Sequence, residues 1–357
     1  MPKNPAPTID KGGMFDVLYN FPKQIEQAVD IGESAPIWRQ TAVSNRYAIF
    51  GLGGSAIGGD LLRSFASGVE WGQHLDISVH RGYNAPGWLD SDTNVIFSSY
   101  SGETEETLSA FDQARKKTMR MLTITTGGTL GKKSITAGAP IINIPTGFQP
   151  RCALAFAFFP LLTVMSRYGT FDAKGARMNT RGINETVRET EALRDLYASA
   201  NAKNPAYALA KKLVDAYPVI YSANERMDAV NLRWRGQIQE NAKHVAFGNL
   251  LPEMNHNEIN GWQNPKGKTK PFHAILLRDP DDHARVKIRF DALKDIIKGS
   301  VGDVTTIEGT GKSLLSRMFT SIYMGDWVSY HLALLHQVDP TPVPVIMSLK
   351  AKLSKGR

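Results

Sequence analysis

Five short runs in the first half of the chain, YAIFG (47–51), LDISVH (75–80), NVIFSS (94–99), MLTIT (121–125) and PIINI (140–144), alternate with helical stretches. Each run is too apolar to keep one face in water. Strands that alternate with helices in this way pair in parallel, so the pattern predicts a doubly wound α/β layer with helices on both faces. Strand-like runs return as PVIYSA (218–223), FHAILLR (272–278) and DVTTIE (303–308), again separated by helical segments, which predicts a second α/β layer. The length of 357 residues exceeds the ~250–300 at which a single core stops growing. The expected architecture is therefore two α/β lobes, each a mostly parallel sheet flanked by helices. The division falls near 170: residues 1–170 form an N-terminal lobe with a leading amphipathic helix near 14–30, and residues 171–357 hold bridging helices and a C-terminal lobe. The stretches 183–199 and 204–217 read as bridging helices, and 314–338 and 343–353 as the closing ones.

Forty-two Lys and Arg against 34 Asp and Glu leave a charge of +8, which attracts anions without choosing among them. No basic stripe is interleaved with aromatics, and the densest cluster, Lys266, Lys268 and Lys270 in NPKGKTKP, reads as a solvated loop; no nucleic-acid partner is expected. The single cysteine, Cys152, excludes an intrachain disulfide framework and points to the cytoplasm. The longest apolar run, CALAFAFFPLLTVM, has 14 residues and an internal Pro, short of the ~20 that cross a bilayer. It reads as a buried helix, and MPKNPAPTIDKGG at the start has no apolar segment of a leader, so no membrane partner is expected.

Two strand exits carry chemistry. GLGGSAIGGD (51–60) follows one strand and opens a helix; Gly51, Gly53 and Ala56 satisfy a loose dinucleotide fingerprint, but the next strand ends in His80 and Arg81 rather than an acid. The alternatives are a glycine-lined turn whose N–H groups and Ser55 hydroxyl accept a phosphate, or a tight turn with Ser55 as a plain cap. SSYSGETEET (98–107) places Ser99, Ser101, Thr104 and Thr107 in one turn, where hydroxyls serve as caps or as phosphate ligands. Both turns leave the carboxyl ends of strands in one predicted parallel sheet, the edge at which ligands bind, which favours a phosphate pocket.

Arg151, after Pro150, opens a helix at its positive dipole end, which costs ~0.3–1 kcal/mol. It is either an anion-stabilising residue or a surface side chain over an apolar helix. In MDAVNLRWRGQIQENAKHV (227–245) an apolar stripe runs through Met227, Val230, Trp234, Ile238 and Val245, while Arg233, Gln237, Glu240 and Lys243 share another face that reads as solvated. His256 and Glu258 form an H-x-E without the downstream cysteines of a zinc deaminase, and no other histidine shows ligand spacing; no metal and no cofactor are expected. GTGKS (309–313) lacks the first Gly of a P-loop, since position 306 is Thr306.

Taken together, GLGGSAIGGD, SYSGETEET, Pro150-Arg151, ENAKH (240–244), PEMNHNEI (252–259) and DPTPVPVIMSLK (339–350) resemble the bifunctional phosphoglucose/phosphomannose isomerases of the sugar-isomerase (SIS) domain superfamily. The resemblance covers nearly the whole chain except the first dozen residues and 174–205. It implies two SIS lobes and a homodimer acting on glucose 6-phosphate and mannose 6-phosphate without a metal. By motif, Gly54, Ser55, Ser99, Ser101 and Thr104 would hold the phosphate. Glu240 would move the proton between C1 and C2, Arg151 would stabilise the enediolate, and His256 from the partner subunit and Lys350 would open the ring. Aldose–ketose isomerisation needs such a base, acid and fixed cation. Another SIS-fold sugar-phosphate isomerase, or a sugar-phosphate-binding regulator without catalysis, remains as an alternative. A nucleotide-binding oxidoreductase is the more distant one.

Overall fold

The computed structural model describes residues 4–38 and 43–353. The first three residues of the MPKNPAPTIDKGG segment lie outside the described residues. The leading helix is two helices, α1 (Met14–Tyr19) and α2 (Phe21–Ser34), because Pro22 lacks an N–H and suits only a first turn, so the helix restarts after Asn20. The buried Asp10 carboxylate starts α1 by accepting from the Met14 and Phe15 N–H groups at 2.8 and 2.9 Å.

The first sheet contains β1 (Arg46–Phe50), β2 (Asp76–His80), β3 (Asn94–Ser98), β4 (Met121–Thr125) and β5 (Ile141–Asn143), all parallel, in the order β2-β1-β3-β4-β5. Every residue of β3 and β4 is buried, as strands covered on both faces require. The helices α3 (Ile57–Gly68), α4 (Glu105–Ala114) and α5 (Gly128–Ala137) cross between strands. The helices α6 (Leu154–Tyr168), α7 (Ala173–Ala198) and α8 (Pro205–Leu213) follow the sheet.

The second sheet contains β6 (Tyr217–Ala223), β7 (Phe247–Leu251), β8 (Phe272–Arg278) and β9 (Asp303–Glu308), parallel, in the order β7-β6-β8-β9. Its helices are α9 (Asp228–Asn241), the single turn α10 (Glu258–Gly261) and α11 (Ala284–Ile297). Strand β7 has no counterpart in the sequence reading: it is a half-exposed edge strand, FGNLL, without a buried apolar run. The chain ends in α12 (Leu314–Leu335) and α13 (Pro344–Leu353). Among the described residues no helix is long and apolar enough to cross a membrane.

Helix α12 is buried from Leu314 to Ala333 and packs against α1, α7, α8 and α9, so one apolar cluster runs from Met14 through both lobes to Ala333. Its polar residues are therefore buried too. His331 donates Nε2–H to the Tyr197 carbonyl at 2.7 Å, and burial pushes its pKa down to about 4. That value lies below the ordinary ~6.5, so the folded chain releases the proton first and stability is lost as pH falls from ~6.5 toward the folded value. Between about pH 7 and pH 4.5 the native chain should lose about 2–3 kcal/mol more unfolding free energy than His331→Gln. Urea titrations at the two pH values measure this, and equal losses would show that His331 is not held neutral by burial.

Candidate active site

The order β2-β1-β3 reverses direction between β1 and β3, which opens a crevice at their carboxyl ends. Both hydroxyl-rich turns stand there. After β1 the chain forms a single 3-10 turn, Gly53–Ser55, with Gly53 at φ 54°, a left-handed conformation that glycine adopts without strain. Ser55 is not a cap. Its Oγ accepts from the Tyr100 N–H at 3.0 Å, tying the β1 turn to the β3 turn. In the β3 turn, Ser99 Oγ accepts from the Gly102 N–H at 3.1 Å and lies 2.9 Å from Thr104 Oγ1, while Ser101 Oγ accepts from the Glu103 N–H at 3.2 Å. Thr104 occupies the N-cap of α4 without a side-chain cap bond, and α3 likewise starts without one. Two helix starts without a side-chain cap, lined by hydroxyls, suit an oxyanion such as phosphate.

The Pro150–Cys152 turn packs directly on the glycine turn: a Cβ on Gly54 would fall 2.6 Å from the Pro150 carbonyl and 2.7 Å from Arg151 N. Arg151 is 3% exposed, which removes the surface reading. Its Nε donates to Asn241 Oδ1 at 2.7 Å, and its Nη2 donates to the Pro340 and Thr341 carbonyls at 2.8 and 2.7 Å. Its Nη1 stands 3.6 Å from Glu240 Oε2. The Glu240 side chain is 31% exposed and faces a cleft lined also by Gly53, Gly54, Arg81, Arg151 and Gln237. A carboxylate open to a cleft, with a fixed guanidinium beside it and an anion cradle adjoining, can take a proton from carbon while the cation balances the charge that develops on oxygen.

The solvated reading of the α9 face fails for Arg233 and Gln237, while Glu240 is partly exposed and Lys243 exposed. Arg233 and Gln237 are 5% and 2% exposed, because this face packs on α12 and borders the cleft. The apolar stripe also stops short: Val245 is exposed and lies beyond the end of α9 at Asn241. Lys243 follows the helix with φ 53° and donates to the Asp339 carbonyl at 2.8 Å rather than pairing with Glu240.

Neither His256 nor Lys350 lines this cleft within one chain. His256 follows β7 after a 3-10 turn, Glu253–Asn255, and is exposed. Lys350 lies on α13, which has no buried residue. The neighbouring Glu258 is a structural group: it accepts from the Tyr221 hydroxyl and from Asn249 Nδ2 at 2.7 Å. The GTGKS turn is equally occupied, since the Glu185 carboxylate accepts from the Lys312 and Ser313 N–H groups at 2.9 and 2.8 Å.

Arg81 and Asn241 were not singled out as site residues from the sequence. Arg81 leaves the edge strand β2, pairs with the buried Asp60 of α3 and lines the cleft. The available signal was an acid inside a glycine-rich helix start, which has no use in the core unless a cation returns to it.

A family model described as the bacterial phospho-glucose isomerase C-terminal SIS domain matches residues 202–353. The chain is 42% identical to a bifunctional phosphoglucose/phosphomannose isomerase of Caldicellulosiruptor bescii, over 96% of this chain and 99% of the relative. It is 36% identical to a protein of the same description from Aquifex aeolicus, over 85% and 89%. In fold it is similar to the C-terminal domain of glucosamine-fructose-6-phosphate aminotransferase from Francisella tularensis, with a TM-score of 0.67, 12% identity, and coverage of 92% of this chain and 98% of that one.

The contact between Gly54 and the Arg151 backbone leaves no room for a methyl group. Gly54→Ala should lower unfolding free energy by about 1–3 kcal/mol through overpacking. It should also open the turn around the buried Cys152, whose thiol burial pushes up to about 11. Thiol labelling of this cysteine should accelerate in the variant; unchanged labelling with unchanged stability would mean that the two turns do not touch.

Proposed function

The chain belongs to the bifunctional phosphoglucose/phosphomannose isomerase family, and on that premise we propose that it interconverts glucose 6-phosphate and mannose 6-phosphate with fructose 6-phosphate. The observation that carries the reading to residues is the Arg151–Glu240 pair, 3.6 Å apart in a cleft beside two uncapped, hydroxyl-lined helix starts.

In this mechanism the phosphate binds at Gly54, Ser55, Ser99, Ser101 and Thr104, far from the reacting carbons, and its binding energy orients C1 and C2. The partner subunit's His256, with Lys350, protonates the ring oxygen and accepts the C1 hydroxyl proton, which opens the sugar. Glu240 then takes the C2 proton of the aldose, leaving a cis-enediolate whose oxygen charge faces Arg151. The hydroxyl proton on O2 passes to O1, which moves the charge to O2, and the same carboxyl then returns its proton to C1, leaving a hydroxyl at C1 and the ketose carbonyl at C2. The C2 stereocentre disappears in the enediolate, so glucose and mannose phosphates converge on one intermediate. No step calls on a metal or cofactor.

Several features support a homodimer whose site is shared. His256 is exposed and does not line its own chain's cleft. Helix α13 leaves Val345, Met347, Leu349 and Leu353 more than half exposed, an apolar surface that a second copy would cover. We divide the lobes at 170/171 and place the protein in the cytoplasm, where its one free thiol stays reduced.

A coupled assay, with and without a chelator, should show fructose 6-phosphate formed from both aldose phosphates at equal rates in the two conditions. Glu240→Gln should lower kcat by about 10²–10⁴-fold. No product from either sugar, or full activity in Glu240→Gln, would sink the proposal. Mixing and re-equilibrating the inactive Glu240→Gln and His256→Ala dimers should restore about a quarter of native activity, because half the dimers are mixed and each holds one intact site of two. Zero recovery would place His256 in its own chain's site.

A further inference from the structure

We infer that Asp326, a carboxylate on α12 that does not line the cleft, is the positioning residue that aims Arg151. The inference rests on the role proposed for Arg151 above and deepens it.

Two hydrogen-bonded routes run from Asp326 to Arg151. In the first, Asp326 Oδ2 accepts from Arg233 Nη2 at 2.8 Å, and Arg233 Nη1 donates to the Arg151 carbonyl at 2.8 Å. In the second, the Asp326 carbonyl accepts from Ser329 Oγ at 2.7 Å. Ser329 Oγ accepts from Asn241 Nδ2 at 2.9 Å, and Asn241 Oδ1 accepts from Arg151 Nε at 2.7 Å. The first route fixes the arginine's main chain and the second fixes its guanidinium. With Nη2 already spent on the Pro340 and Thr341 carbonyls, the geometry turns Nη1 toward Glu240.

Stability alone accounts poorly for this arrangement. The Arg233–Asp326 pair is 4% exposed on both sides, and a buried ion pair exchanged for apolar side chains of similar volume is often neutral or stabilising. The pair is also incompletely satisfied: among the described residues Arg233 Nε finds no hydrogen-bond partner, and beyond Arg233 only the Gln237 side chain bears on the Asp326 carboxylate. Burial pushes the Asp326 pKa up, and the Arg233 guanidinium opposes that shift. An expensive, imperfectly bonded pair one residue removed from a reacting group is better understood as a device that sets direction. The Arg151 guanidinium meets charge that develops mainly in the transition state, so a small error in its aim lowers kcat and spares KM.

Asp326→Asn keeps the size of the side chain and removes its charge. In the otherwise native enzyme it should lower kcat about tenfold or more while KM for fructose 6-phosphate stays within about twofold. In an Arg151→Gln background, already impaired, the same change should bring no further loss, because there is no longer a guanidinium to aim. Asp326→Asn combined with Arg233→Gln, which breaks the first route and buries no lone charge, repeats the test if Asp326→Asn does not fold. Unchanged kcat, a rise in KM with kcat intact, or losses that multiply in the Arg151→Gln background would each overturn the inference. Full activity of Arg151→Gln by itself would instead remove the reading of Arg151, and this inference with it.

Discussion

Helix α12 has a neighbour on every side over most of its length, and both halves of the molecule take their position from it. A helix in that situation cannot put its polar side chains in water, so each must find a partner on a particular element. Arg317 reaches Asp279 at the end of β8, Asp326 reaches Arg233 on α9, Ser329 takes a hydrogen bond from Asn241 on α9, and His331 reaches the end of α7. Apolar burial supplies most of the adhesion, but it would tolerate a sliding or rotated helix. The polar contacts are directional, and they set the register in which α9 presents Glu240 to the first lobe.

The two lobes repeat one strand order, β2-β1-β3-β4 and β7-β6-β8-β9, and the reversal point of the first opens between hydroxyl-lined turns. At the corresponding edge of the second lobe, Asp279 directly after β8 receives Arg317 from α12 and Arg226 from the β6 exit. That edge carries its own anion and its own cations. The second lobe contributes to the site through the flank of α9 instead of through strand-exit turns. This division explains how a duplicated architecture brings unlike parts of its two halves, the glycine turn and the flank of α9, to one cleft.

The central strands of both sheets were legible in the sequence because they are buried on both faces, and burial is what apolar runs report. Strand β7 was not, because an exposed edge strand needs no such run. The two hydroxyl turns were visible as composition, but Ser55 turned out to bind the neighbouring turn rather than cap a helix. The part of the α9 face carrying Arg233 and Gln237 was misread for a definite reason: polar residues at helical spacing look alike whether they meet water or a buried partner on another helix. Arg151 broke a local dipole rule, and the carbonyls of Pro340 and Thr341, some 190 residues away in sequence, are what compensate it. Such acceptors have no signature in the chain. The roles of His256 and Lys350 came from resemblance alone, since nothing in their spacing distinguishes them from surface residues.

The hold that Arg151 has on Thr341 ties the site to both ends of the chain. A methyl group on Gly12 would collide with the Thr341 side chain, so the amino-terminal segment lies directly against the strap that the guanidinium grips. Residues before α1, which carry no motif of their own, are thus two contacts from Arg151. A change in the amino-terminal segment at this point reaches the Arg151 guanidinium through Thr341, without touching the cleft.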